Sequence, residues 1–139
     1  MARVTSGSLM IATGIIHNAF GLLLGFGLLA PPGGTRRNLV AEMATGGVID
    51  SVGGDPLRMT FFWFEFSGAV AFVLGWLMLT VERRGEALAA GIGWQLLAIA
   101  VVGVALVPAL GLWLVLAQAL LILYRARRAR LPSGPGAAA

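Results

Sequence analysis

The chain has 139 residues, of which 58% are hydrophobic and only 12% charged; its mean hydropathy is +0.89 and its net charge +4. A soluble domain is about half apolar with roughly a quarter of its residues charged, so this balance excludes an ordinary soluble domain and predicts an integral membrane protein. With no cysteine and one histidine, disulfide staples, thiol redox chemistry and a Cys- or His-rich metal site are excluded, and no metal or cofactor is expected.

Residues 1–8 read as a short polar tail containing Arg3. The first apolar run, about 9–30, is roughly 22 residues and about 33 Å long as a helix, enough to cross the hydrocarbon layer. It exceeds the ~7–15-residue core of a signal peptide, and Pro31 stands where cleavage would fall, so it is read as a retained span. Pro31-Pro32-Gly33-Gly34 ends it. In the polar segment that follows, Leu39, Val40, Met43 and Gly47 repeat at helical spacing, predicting a short amphipathic helix on the membrane surface. That segment, 31–58, is either a solvated connector or a lid over the bundle mouth.

The second span is expected at about 59–81, followed by the polar turn Glu82-Arg83-Arg84-Gly85-Glu86 and a third span at about 87–107. Pro108 and Gly111 mark a short reversal into a fourth span at about 109–124, closed by Arg125, Arg127, Arg128 and Arg130. Residues 132–139 read as a disordered tail. The predicted fold is all-α: one four-helix transmembrane bundle over residues 1–131. Arg3, Arg83, Arg84, Arg125, Arg127, Arg128 and Arg130 fall on one side and Arg36, Arg37 and Arg58 on the other. The positive-inside rule then places both termini in the cytoplasm and loop 31–58 outside, in a multi-pass protein of the inner (plasma) membrane. Arginines that flank apolar runs suit anionic headgroups rather than nucleic acid.

Each span carries a polar residue on a small-residue face. Gly14, His17 or Asn18, Gly21 and Gly25 share one face of the first span, and Glu65, Gly68, Phe72 and Gly75 one face of the second. Gly91, Gln95 and Ala98 do so in the third, and Gly111, Leu114, Gln118 and Leu121 in the fourth. Such faces pack against neighbouring helices, so the polar side chains are expected to converge inside the bundle. Counting residues from the span ends puts His17, Asn18 and Gln95 at an inner level and Glu65 and Gln118 at an outer one, roughly 8–10 Å apart along the axis. A direct His17–Glu65 bond would then require tilt or a shifted boundary.

Glu65 lies among Phe61, Phe62, Phe64 and Phe66. Apolar surroundings disfavour an ionised carboxylate, which suits a general acid or a proton carrier. The other reading is structural: a protonated side chain bonded to a neighbouring helix, or one that reaches the interface near Arg58. His17 is either the base that partners Glu65 or an interhelical hydrogen bond, with Asn18 placed to orient it. Gln95 and Gln118 either join helices or line the cavity. Trp63, Trp113 and Tyr124 fit an interfacial aromatic belt, whereas Trp76 and Trp94 sit deeper. Around a hydrophobic substrate, Phe61, Trp63, Phe66, Phe72, Trp94 and Trp113 are the candidate wall, because aromatic faces attract developing positive charge.

The stretches Gly14-Ile-Ile-His17-Asn-Ala-Phe-Gly21, Phe62-Trp63-Phe64 through Gly68, Gly91-Ile-Gly-Trp94 and Pro108-Ala-Leu-Gly-Leu-Trp113 through Gln118 resemble a family of small four-span bacterial membrane proteins of unknown function. A looser likeness runs to DoxX-like proteins. The resemblance covers most of residues 9–125 and implies the bundle. An analogy to membrane-embedded terpene cyclases, which also set acidic residues among aromatics, rests on site character alone.

Three functions follow from these residues. The first is a cofactor-free isomerase or cyclase acting on an isoprenoid-like lipid, with catalytic Glu65 and His17 and a substrate entering from the bilayer. The second is a proton or small-solute transporter, for which four spans leave little room for alternating access and a homodimer is implied. The third is an accessory membrane protein whose polar residues only hold helices together.

Overall fold

The computed structural model describes residues 5–30, 33–48, 53–106 and 112–129. Among these the chain is all-α. It has α1 (Ser6–Gly25), α2 (Leu39–Gly46), α3 (Pro56–Arg83), α4 (Ala90–Leu106) and α5 (Trp113–Ala129). Helices α1 and α3 are long and apolar enough to cross a membrane, and α4 is a shorter apolar helix. Arg3, the Pro31-Pro32 break, the Pro108–Gly111 reversal with the expected start of the fourth span, Arg130 and the tail lie outside the described residues.

The helix ends differ from the expected spans for local reasons. Helix α1 stops at Gly25, because Gly27 adopts a left-handed φ of 72° and the amides of Leu28 and Leu29 turn back to donate to Leu23 O at 2.9 and 3.0 Å. The apolar residues beyond Gly25 therefore leave the helix although their hydropathy continues it. Helix α5 runs past Tyr124 to Ala129. Arginine is a good helix former, and cations suit a helix C-terminus.

The described residues form two compact units, Ile11–Leu74 and Met1–Met10 with Gly75–Ala139. In Ile11–Leu74, α1 and α3 run antiparallel in close register. An added Cβ on Gly14 would lie 2.7 Å from Phe72 N and 2.8 Å from Gly68 O. Backbone thus meets backbone there, the close approach that glycine permits. Helix α2 is capped by Asn38, whose Oδ1 accepts from Ala41 N at 3.0 Å, and it buries Leu39 and Met43, four residues apart on one face. Where the connector meets the first turn of α3, Arg37 pairs with Glu42 and with Asp55 (2.8 Å), and Arg58 pairs with Glu42 (3.2 Å) and Asp55 (3.5 Å). This four-charge clasp ties the connector to the start of α3. Its guanidinium at Arg37 holds the carboxyls of Glu42 and Asp55 below their ordinary range and is itself pushed higher by the two carboxylates.

In the other unit, the α4–α5 hairpin is built around Gly93, where an added Cβ would lie 2.8 Å from Leu123 Cγ. Leu96 and Ala100 of α4 and Ala119, Ile122 and Ala126 of α5 form its buried face. Met10 and Met78 are each 2% exposed and fill the packing of the α1 start against the α3 end. That α1 start is capped across the chain. Glu82 accepts from Ser6 N at 2.9 Å on Oε1 and from Gly7 N at 2.8 Å on Oε2, which satisfies two otherwise unpaired helix amides. This distant cap explains why the helix begins at Ser6, ahead of the apolar run.

Candidate functional site

The α1–α3 contact of Ile11–Leu74 holds three polar side chains, each placed by a local packing rule. Gly21 leaves the space that Glu65 Oε1 occupies: an added Cβ there would collide with that oxygen and lie 2.8 Å from Phe64 Cδ1. Gly68 does the same for Asn18 Oδ1, and its added Cβ would lie 2.8 Å from His17 Cδ2. The two notches are reciprocal. A glycine of α1 receives a side chain from α3, and a glycine of α3 receives one from α1. Three residues separate Asn18 from Gly21 and Glu65 from Gly68, so the notches lie about 4.5 Å apart along the helix axis. Asn18 Oδ1 and Glu65 Oε1 are both buried with no hydrogen-bond partner among the described residues.

His17 is held differently. Its Nε2 lies 3.0 Å from Phe64 O, and since a carbonyl only accepts, Nε2–H is the donor, which in the neutral ring leaves the lone pair on Nδ1. Ser67 Oγ lies 3.2 Å from the same nitrogen and donates to the same carbonyl at 2.7 Å. The imidazole stacks on the Phe64 ring, with centroids 3.7 Å apart and planes 17° apart. His17 does not bond directly to Glu65. It binds the backbone one residue before Glu65, so the expected 8–10 Å separation of levels shrinks to about one helical turn. The depth count failed because it started from apolar-run ends that are not the helix ends.

The aromatic wall divides. Phe61 packs on Gly25, where an added Cβ would meet its ring, and with Phe64 it lines a cavity of about 150 Å³. Gly21, Leu24, Leu39 and Arg37 border the same cavity. Gly21 and Phe64 border both the Glu65 notch and this cavity, and Glu65 itself does not line the cavity. Phe62, Trp63 and Phe66 instead form an aromatic cluster, with Trp63 edge-on to Phe62 at 5.4 Å and to Phe66 at 5.7 Å. Trp63 and Phe66 face outward, as do Phe72, Trp94 and Trp113.

Gln95 departs from its expected place. It is exposed on α4, together with Gly91 and Ala98. The helix buries Gly93, Leu96 and Ala100 instead, because the hairpin packs Gly93 onto Leu123 and Ile122, whereas Gly91 meets nothing within 4 Å. Gln118 is buried, 5% exposed, but on a face with Ala119, Ile122 and Ala126; Leu114 of its expected face is exposed. The structure therefore gathers His17, Asn18, Glu65 and Phe61 with Phe64, whose ring was expected around Glu65, and adds Ser67, which was not expected there. Ser67 carried a usable signal: it lies three residues after Phe64, within reach of the helical carbonyl that His17 also binds.

Residues 1–129 match the model of a family of unknown function (DUF6463), and the chain belongs to that family. No curated protein and no solved structure matches the chain.

Proposed function

We propose, for a member of a family without an assigned activity, a four-span inner-membrane protein with both termini in the cytoplasm whose Glu65 donates a proton to a hydrophobic substrate. Support for the membrane setting comes from α1 and α3 and from the shorter apolar helix α4, whose 17 residues, about 26 Å, are near the lower limit of a crossing helix. Large apolar side chains turned outward, Ile16 at 62% and Trp94 at 62% exposure among them, suit contact with lipid. The arginine asymmetry supports the orientation.

The observation that carries the chemistry is a Glu65 Oε1 buried with no partner among the described residues, packed against Gly21 and Phe64, which border an apolar cavity of about 150 Å³. A cavity of that size holds a benzene-sized group, so it suits one branched or cyclic end of an isoprenoid while the rest of the chain stays in the bilayer. Glu65 protonates an alkene carbon or an epoxide oxygen, and the electron deficiency moves to the adjoining carbon. A neighbouring C–H then loses its proton to a base, for which His17 Nδ1 is the available lone pair. Proton gain and loss balance, and the reaction is an isomerisation or cyclisation that needs no co-reactant. The likeness in site character to membrane-embedded terpene cyclases points the same way. Purified protein incubated with prenylated lipids should turn one of them over, and Glu65→Gln should abolish that turnover while melting is kept. Equal turnover in the variant would remove Glu65 from the mechanism.

A second reading, an accessory protein held together by polar contacts, is favoured by the His17–Phe64 hydrogen bond, which joins α1 to α3. It expects Glu65→Gln and His17→Asn to shift melting and leave every lipid-dependent phenotype intact.

A further inference from the structure

A second cavity, half-open and about 650 Å³, lies where the α1 start, the α3 end and the α5 end meet in the unit Met1–Met10 with Gly75–Ala139. Its apolar part is Leu88 and Ile122, both buried. Its charged rim is Glu82, Glu86, Arg125 and Arg128. These four charges are not equivalent. Both oxygens of Glu82 accept from α1 amides, and Arg125 Nη1 lies 3.6 Å from Glu82 Oε1 and 3.4 Å from Ser6 Oγ. That pair is committed to holding the helix ends. Arg128 has its guanidinium carbon 4.7 Å from the Tyr124 ring centroid. Stacking uses the guanidinium face and leaves its N–H edge, the part that grips a phosphate, available. Neither Arg128 nor Glu86 makes a hydrogen bond or ion pair among the described residues.

An unpaired cation and an unpaired anion on one rim, above an apolar floor, complement a ligand that carries both charges and an apolar tail. We propose that this cavity binds a phospholipid whose headgroup bears a phosphate and a primary ammonium, the phosphate at Arg128 and the ammonium at Glu86. The assignment to a lipid rests on the membrane setting proposed above: the cavity lies at the arginine-rich ends of apolar helices, the depth of the headgroup layer. It is independent of Glu65. A primary ammonium can donate hydrogen bonds to Glu86, which a quaternary choline cannot, and a headgroup with no cation leaves Glu86 facing a phosphate.

The test uses full-length protein in detergent, with melting followed as phosphatidylethanolamine, phosphatidylcholine or phosphatidylglycerol is added. Phosphatidylethanolamine should raise the melting temperature by a few degrees, at least about twice the shift from either other lipid, as expected for a ligand that binds only the folded state. Arg128→Gln should remove the shift, and Glu86→Gln should reduce it to that of phosphatidylcholine. Both side chains are exposed, and melting of each variant without added lipid verifies its fold. Equal shifts for all three lipids, a larger shift with phosphatidylglycerol, or a preference that survives both substitutions would overturn the proposal. Free phosphoethanolamine should give no shift; one equal to the lipid's would assign the site to a soluble ligand and overturn the lipid. Alkaline extraction of membranes separates the premise from the proposal: protein released as soluble defeats the membrane setting, whereas protein retained without lipid preference defeats only the headgroup site.

Discussion

The polar residues of the α1–α3 pair and the glutamine of α4 arise from the same pattern, a polar side chain spaced with glycine on one helix face, yet they end in opposite environments. Asn18 and Glu65 are received by glycines on the facing helix, Gly68 and Gly21. Gln95 has Gly91 on its own face, but Gly91 meets nothing within 4 Å, and Gln95 is exposed. A glycine beside a polar residue in sequence is therefore not what buries it; a glycine opposite it is. A third solution appears where the connector meets the first turn of α3 and Arg37, Arg58, Glu42 and Asp55 neutralise one another directly.

The largest effect should come from closing the space between α1 and α3. Gly14→Ala places a methyl 2.7 Å from Phe72 N, and backbone cannot rotate aside. A loss of about 1–3 kcal/mol is expected from overpacking, read by chemical denaturation in detergent. Gly91→Ala, its counterpart on the open face, should change stability by no more than about 0.5 kcal/mol. A loss at Gly91 that equalled the loss at Gly14 would erase the contrast.

The charge clasp should give a smaller, pH-dependent effect. Because Arg37 first of all holds the carboxyls of Glu42 and Asp55 low, the stabilisation is fully present above the ordinary carboxyl range, near pH 4. It is lost as pH falls through the lower folded-state values. Arg37 stays charged throughout. Limited proteolysis of residues 33–58 should accelerate in acid for the natural chain. Arg37→Gln should be cleaved faster at neutral pH and respond less to acid; a pH response unchanged in that variant would show the clasp to be incidental. The smallest effect is expected at Gln95. Gln95→Leu should alter denaturation by less than about 0.5 kcal/mol, and a marked loss would mean that Gln95 has a bonding partner.

Composition and periodicity made the helical class legible, with α2 and the packing face of α1: hydropathy reports which segments avoid water, and glycine spacing reports where helices can touch. Gly14, Gly21 and Gly25 are buried as their shared face requires. What stayed hidden depends on partners far along the chain. The Glu82 cap that starts α1 lies 76 residues from Ser6, and Gln95 turns outward because Leu123 claims the neighbouring face through Gly93. That His17, Asn18 and Glu65 come together between two helices was legible in their small-residue faces. The expected aromatic wall was not, since Trp63 and Phe66 turn outward: an aromatic run marks apolar surroundings without saying which of its members face neighbouring helices.

The most direct measurement is a double-mutant cycle between Gly21 and Glu65, with stability read in lipid-like detergent. Gly21→Ala should be costly while the Glu65 carboxyl fills the notch and cheaper when Glu65→Ala has emptied it. The two changes are expected to be non-additive by about 0.5–3 kcal/mol, as for residues in contact. Strict additivity would place Glu65 elsewhere and contradict the reciprocal notches on which the proposed proton donor rests.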